Sequence, residues 1–160
     1  ESLKDLSSVL PELLSLHQQF VATPQMSVFY GKEGIIQIME DSLTAEKEIL
    51  CWSNVEVAES TFLSEYHPTY VKKKIQRKIP SKCLFDKGTY ARHLKSQSKK
   101  QLREVRFIPE SPYKFENEIN IYNDKVSIIS LKDEVGIIIQ NKAIADSQRA
   151  LFYLAFENAK

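Results

Sequence analysis

A chain of 160 residues with 42% hydrophobic content has enough apolar surface for one core of ordinary domain size. Charged residues make up 27%, with only four glycines and six prolines, which excludes disorder over most of the length. A formal net charge of +1 excludes strong whole-domain attraction to nucleic acid or to an anionic membrane surface.

Along residues 2–21, Leu3, Leu6, Leu10, Leu13 and Phe20 fall at spacings of three, four and seven, with His17 in the one gap. So narrow a stripe predicts a helix that pairs with another helix, a linker or dimerisation helix over residues 1–22. Packing against its own domain is the competing arrangement. Pro11 removes one amide and crowds the Ser7 carbonyl, so a bend or restart is expected there, with Ser7 or Ser8 as the cap. Thr23-Pro24 ends the helix, and residues 23–160 form the main domain.

Met26 to Tyr30 reads as a short strand and Gly31 to Ala45 as a helix, with Ile35, Met39 and Leu43 on one face. Glu48 to Ser53 is a buried strand. Ser60 to Lys78 is a helix with Leu63, Tyr70, Val71 and Ile75 inward and Pro68 breaking or restarting it. Ile79 to Phe85 is a third strand, Thr89 to Lys100 a polar helix, and Val105 to Ile108 a strand. Three strands then follow closely, Glu116 to Tyr122, Lys125 to Leu131 and Val135 to Gln140, the first two joined by a turn at Asn123-Asp124. A helix from Asn141 to Asn158 closes the chain, capped by Asn141 and buried through Ile144, Leu151, Leu154 and Ala155. Alternation followed by a meander predicts an α/β fold with a mixed, mostly parallel sheet flanked by helices.

Cys51 and Cys83 each sit in an apolar run and read as buried, reduced thiols. His17, His67 and His93 lack ligand spacing, so neither a metal nor a cofactor is expected. No stretch approaches the roughly twenty apolar residues of a membrane span. No leader is visible, so a cytoplasmic protein is expected. Starting at Glu1 rather than methionine, the chain reads as part of something longer.

Several segments, in order, resemble the C-terminal domain of TrmB-like transcription regulators. Val28-Phe-Tyr-Gly-Lys-Glu-Gly-Ile35 is similar to its strand-to-helix opening. Lys47-Glu-Ile-Leu-Cys-Trp52 is similar to its second strand, and Leu102-Arg-Glu-Val-Arg-Phe-Ile-Pro109 to a later strand and proline. Glu118-Ile-Asn-Ile-Tyr-Asn-Asp-Lys-Val126 and Val135-Gly-Ile-Ile-Ile139 resemble its hairpin, and Arg149-Ala-Leu-Phe152 its last helix. The resemblance spans roughly residues 9–158. It implies a phospholipase-D-like fold without catalysis, preceded by a coiled-coil linker helix. It also implies a homodimer, DNA contact through a winged helix-turn-helix that this chain does not contain, and in some members a sugar-like effector.

Phospholipase-D chemistry needs a histidine nucleophile, a lysine two residues on and a later aspartate, supplied twice. The one His-x-Lys, His93 and Lys95, lies in a polar helical stretch, with Lys100 where the aspartate should stand. Near the second motif's expected place in the hairpin stand Glu118 and Asn120. A glutamate there would repel a phosphate, so the chain is not expected to be an enzyme. Gly31-x-x-Gly34 is too short for a phosphate loop and reads as a strand-to-helix turn, although helix-start amides can hold an anion.

An effector should sit at the carboxyl ends of the parallel strands. That nominates Trp52, Ser53, Asn54, Asp86 and Lys87, joined by Glu118 and Asn120, with Trp52 stacking on a sugar ring. The basic runs Lys72 to Lys78 and Lys95 to Arg103 read as solvated faces or as auxiliary contacts to DNA phosphates. Three functions follow: a sensing and dimerising module of a regulator, a dimerisation scaffold without ligand, and a phospholipase-D-type phosphodiesterase.

Overall fold

The computed structural model describes residues 9–13 and 25–160. Residues 9–13 are helical, Pro11 included, and Leu10 and Leu13 are exposed. Leu3, Leu6 and Phe20, the other members of the expected dimerisation stripe, lie outside the described residues.

Seven strands form one sheet in the order β1-β7-β6-β5-β2-β3-β4. They are β1 (Gln25–Tyr30), β2 (Ile49–Ser53), β3 (Ser81–Phe85), β4 (Arg103–Phe107), β5 (Glu118–Tyr122), β6 (Lys125–Ser130) and β7 (Val135–Gln140). The sheet is mixed, as the sequence implies. β2, β3 and β4 pair in parallel, whereas β5, β6, β7 and β1 continue the sheet by antiparallel pairings. β1 runs with the parallel strands, so β5 and β7 alone point the other way. The sense is therefore mostly common, while four of the six pairings are antiparallel.

Helices cover both faces. α1 (Gly31–Ser42), α2 (Val55–Glu59), α3 (Leu63–Gln76) and α4 (Thr89–Ser96) lie on one, and α5 (Lys142–Asn158) lies on the other. Period-two alternation divides each strand between them. In β2, Ile49 and Cys51 join the four-helix side, while Leu50 and Trp52 join α5. The Gly31 to Gly34 segment is the strand-to-helix turn expected of it. Gly31 has φ +72° and donates its amide to Glu134 O at 2.7 Å. A Cβ on Gly34 would stand 3.1 Å from the Phe29 carbonyl carbon, so a larger residue would press on the β1 backbone.

Three helical details differ from expectation. The helix expected over 60–78 is α3, Leu63–Gln76, and it is preceded by a short helix that was not expected, α2, at Val55–Glu59. Pro68 lies inside α3 without breaking it. In α5 the buried residues are Ala145, Phe152 and Phe156, with Ile144 and Ala155 alongside, whereas Leu151 and Leu154 are exposed. The rings decide this: Phe152 stacks on Phe156 at 5.4 Å and meets Trp52 edge-on at 5.7 Å. Asn141 caps α5 as expected, its Oδ1 accepting from Ile144 N at 3.0 Å. Asn141→Ala should cost about 1 kcal/mol, read from urea denaturation midpoints. No helix among the described residues is long and apolar enough to cross a membrane.

Candidate functional site

Under α2, α3 and α4 the sheet surface is polar where a core would be apolar. A cavity of about 70 Å³ lies there, walled from the sheet by Cys51, Ser53, Cys83, Arg103, Glu118 and Asn120. Helix α3 contributes His67, Tyr70 and Lys74 to the same wall.

The buried carboxylate comes from β5. Glu118 is 7% exposed, and its oxygens accept from Ser53 Oγ at 3.1 Å and Asn120 Nδ2 at 2.9 Å. Burial pushes its pKa up, while those two hydrogen bonds and the Arg103 charge pull it back. Strand alternation brings the group together, because Glu118, Asn120 and Tyr122 share one face of β5 and Ser53 stands opposite Glu118 on β2.

Two cations face the same space. Lys74 is 2% exposed, and its ammonium donates to Gln101 O at 2.8 Å and to Ile79 O and Ser81 Oγ, each at 3.2 Å. Burial, aided by the Arg103 charge, pushes its pKa down to about 8. Arg103, 9% exposed, stands on β4 in line with buried Val105. Both residues belong to runs expected to be solvated or to touch DNA. That expectation fails for them because Lys74 lies on the stripe Leu63, His67, Tyr70, Lys74 of α3 and Arg103 points inward from its strand. Ile75, expected inside, is 37% exposed. Burial, then the Arg103 and Lys74 charges, hold the His67 imidazole down at about pKa 4, so it is neutral at pH 7.

The cysteines are free and buried, as expected, and the fold sets them side by side: Cys51 and Cys83 are register partners on β2 and β3. Hydrogen bonding between the thiols and then burial raise Cys51, while the Cys51 hydrogen bond and the Arg103, Ser81 and Lys74 environment lower Cys83.

The nominated effector residues separate. Ser53, Glu118 and Asn120 meet in the cavity wall. Trp52 does not; one residue from Ser53, it faces α5 and packs on Phe115 and Phe152. A sugar ring beside Glu118 therefore has no tryptophan to stack on. Asn54 caps α2 through Val57 N, and its Nδ2 donates to Asp86 Oδ2 at 2.9 Å and Phe115 O at 3.0 Å. That pair closes the strand ends instead of opening a site, and Lys87 is exposed. Lys74, Arg103, His67 and the thiol pair were the residues missed. Lysine on an apolar helical stripe, and arginine alternating with valine in a strand, were the available signals.

His93 and Lys95 lie on α4, where positions two apart point to opposite sides of the helix. His93 stacks beside Tyr90, and Lys95 Nζ lies 4.6 Å over the Phe107 ring. His67 and His93 both border a shallower groove between α3 and α4, but neither has a lysine beside it on a strand. The phosphate-cleaving pattern is thus absent from the described residues.

No protein-family model matches the sequence, and no curated protein matches it. Solved structures do. TrmBL2, an archaeal chromatin protein with a novel mode of DNA binding, superposes with a TM-score of 0.60 at 20% identity. The match covers 100% of this chain and 64% of TrmBL2, so the chain spans under two thirds of that protein. Nuc from Salmonella typhimurium, a phospholipase D family member, gives a TM-score of 0.64 at 16% identity over 86% of this chain and 97% of Nuc. NucT from Helicobacter pylori also gives 0.64, at 10% identity, covering 86% of this chain and 98% of NucT. The fold is therefore phospholipase-D-like, and it is shared by a phospholipase D family member and by a DNA-binding chromatin protein.

Proposed function

We propose that this chain is the effector-sensing and dimerising part of a transcription regulator and performs no catalysis. The reading is carried by Glu118 and Asn120. Phosphodiester cleavage on this scaffold needs an imidazole and an ammonium two residues apart on a strand; this strand presents a carboxylate and an amide, hydrogen-bonded to each other at 2.9 Å. What remains is a largely apolar cavity with a few convergent polar groups, suited to binding a small molecule and without the imidazole needed to attack phosphorus.

Dimerisation has support from the other face. β1 is an edge strand, and Met26, Val28 and Tyr30 are 64%, 45% and 74% exposed. They stand across from Ile139, Ile137 and Val135 of β7. An apolar strip of this kind suits a second copy of the chain, together with Leu10 and Leu13. In this reading DNA is held by a winged helix-turn-helix of a longer cytoplasmic polypeptide. Effector binding then shifts the sheet domain against the linker helix and so the spacing of two DNA-reading heads.

The test joins three measurements on the protein. Sedimentation should give a dimer that Val28→Glu dissociates. A metabolite panel should contain a compound that raises the melting temperature with concentration, because it binds only the folded state. A chromogenic phosphodiester should not be turned over. Turnover that Glu118→Gln abolishes would end the proposal, and a dimer deaf to the whole panel would leave a scaffold instead of a sensor.

A further inference from the structure

Arg103 has an unmet requirement. Its guanidinium is buried against the cavity, and Nη1 has no hydrogen-bond partner. Glu118 feels its charge, but among the described residues the two form no ion pair. A buried donor with nothing to donate to is costly, and a buried charge more so. Lys74 cannot relieve it, being a second cation whose ammonium is already spent on Gln101 O, Ile79 O and Ser81 Oγ. The two cations Lys74 and Arg103 face one carboxyl group, Glu118, whose burial opposes its ionisation. A bound anion supplies the negative charge that the wall lacks.

We propose that the effector cavity takes a small monocarboxylate, whose oxygens accept hydrogen bonds from the Arg103 guanidinium. This rests on the sensing reading above and names the chemistry of its ligand. The planar fork of an arginine matches a carboxylate in two parallel hydrogen bonds. Charge favours an anion, and the planar fork together with the small volume favours a carboxylate over a tetrahedral phosphate. The volume of about 70 Å³ is roughly half that of an engineered cavity that admits benzene, which suits a ligand of acetate or lactate size. Lys74 adds field without contact, and the neutral His67 adds no competing cation.

The experiment is thermal unfolding of the whole chain at fixed ionic strength, with sodium acetate, sodium lactate, inorganic phosphate and glucose as probes. Acetate or lactate should raise the melting temperature by about 5 °C near saturation, with glucose and phosphate at or near zero. Arg103→Met should melt higher than the parent without ligand, because it removes an uncompensated buried charge, and should lose the carboxylate response. Arg103→Lys, which keeps charge but not the fork, should weaken apparent affinity at least tenfold. Cys83→Ser, which removes the other ionisable group able to supply the counter-charge, should respond like the parent. Equal carboxylate responses in the parent and in the Arg103→Met or Arg103→Lys variant would mean an adventitious salt effect and overturn the proposal, as would loss of the response in Cys83→Ser. A response to glucose or phosphate but not to carboxylates would overturn it while leaving sensing intact; silence to these probes and to the broader metabolite panel would remove both.

Discussion

Phe152→Ala should lower the free energy of unfolding by about 3–5 kcal/mol, the range for deleting a fully buried phenyl ring. Phe152 is 0% exposed at the centre of the α5 cluster, touching Trp52, Tyr153 and Phe156 through ring contacts of 5.4 to 5.8 Å. Alanine would leave a void bordered by rigid strands, which cannot collapse to fill it. For a chain of this size the melting temperature should fall by roughly 10 °C. Leu154→Ala is the control. It lies two residues along the same helix, is 63% exposed, and should change stability by no more than about 0.5 kcal/mol. Urea denaturation of both variants checks the pair. Equal effects would mean that α5 buries a different face.

Acid should destabilise the protein through His67. Its pKa falls from 6.5 in the unfolded chain to about 4 in the folded one, chiefly by burial and then by the Arg103 and Lys74 charges. The unfolded chain therefore binds more protons between those values. The stability contribution is full above pH 6.5 and is lost as the pH falls through about 4. The loss amounts to roughly 3 kcal/mol at most, at about 1.4 kcal/mol per unit. Carboxylates such as Glu48, held low by Tyr153 and Lys82 against the opposing effect of burial, titrate in the same direction, so the parent alone cannot isolate the histidine. The difference between parent and His67→Leu can: its pH dependence should run between 6.5 and about 4 and be flat above. A His67→Leu profile parallel to the parent's would place the histidine in water.

The elements themselves were largely legible. Ile35, Met39 and Leu43 announced α1 by helical spacing, and all three are buried. Asn123-Asp124 announced the β5–β6 hairpin, where Asn123 adopts φ +48°. Asn141 was recognisable as a cap because the signal is local. Where the reading failed, two plausible faces competed. In α5, leucines and phenylalanines both lay at helical spacing, and the sheet selected the aromatic side, leaving Leu151 and Leu154 outside. The Pro68 ring disfavours helix in isolation and so predicts a break or restart; packing of Leu63, Tyr70 and Val71 holds the helix through it.

The candidate site was half legible. Ser53, Glu118 and Asn120 were nominated from the hairpin and the strand end, and they do meet. Trp52 was nominated with them on sequence proximity, but adjacent strand residues face opposite ways, and the tryptophan went to α5.

By itself the sequence determined the alternating helices and strands, the mixed sheet, the hairpin and its caps, and the absence of a histidine-lysine pair at the hairpin, because each depends on residues a few positions apart. Only the tertiary structure decided which charges are inside. Lys74, Arg103 and Glu118 are separated by 29 and 15 positions, and although local spacing hints that Lys74 and Arg103 point inward, nothing local says that the three meet. They share one cavity because α3, β4 and β5 converge on the same sheet face, and burial there, not residue type, makes their charges matter.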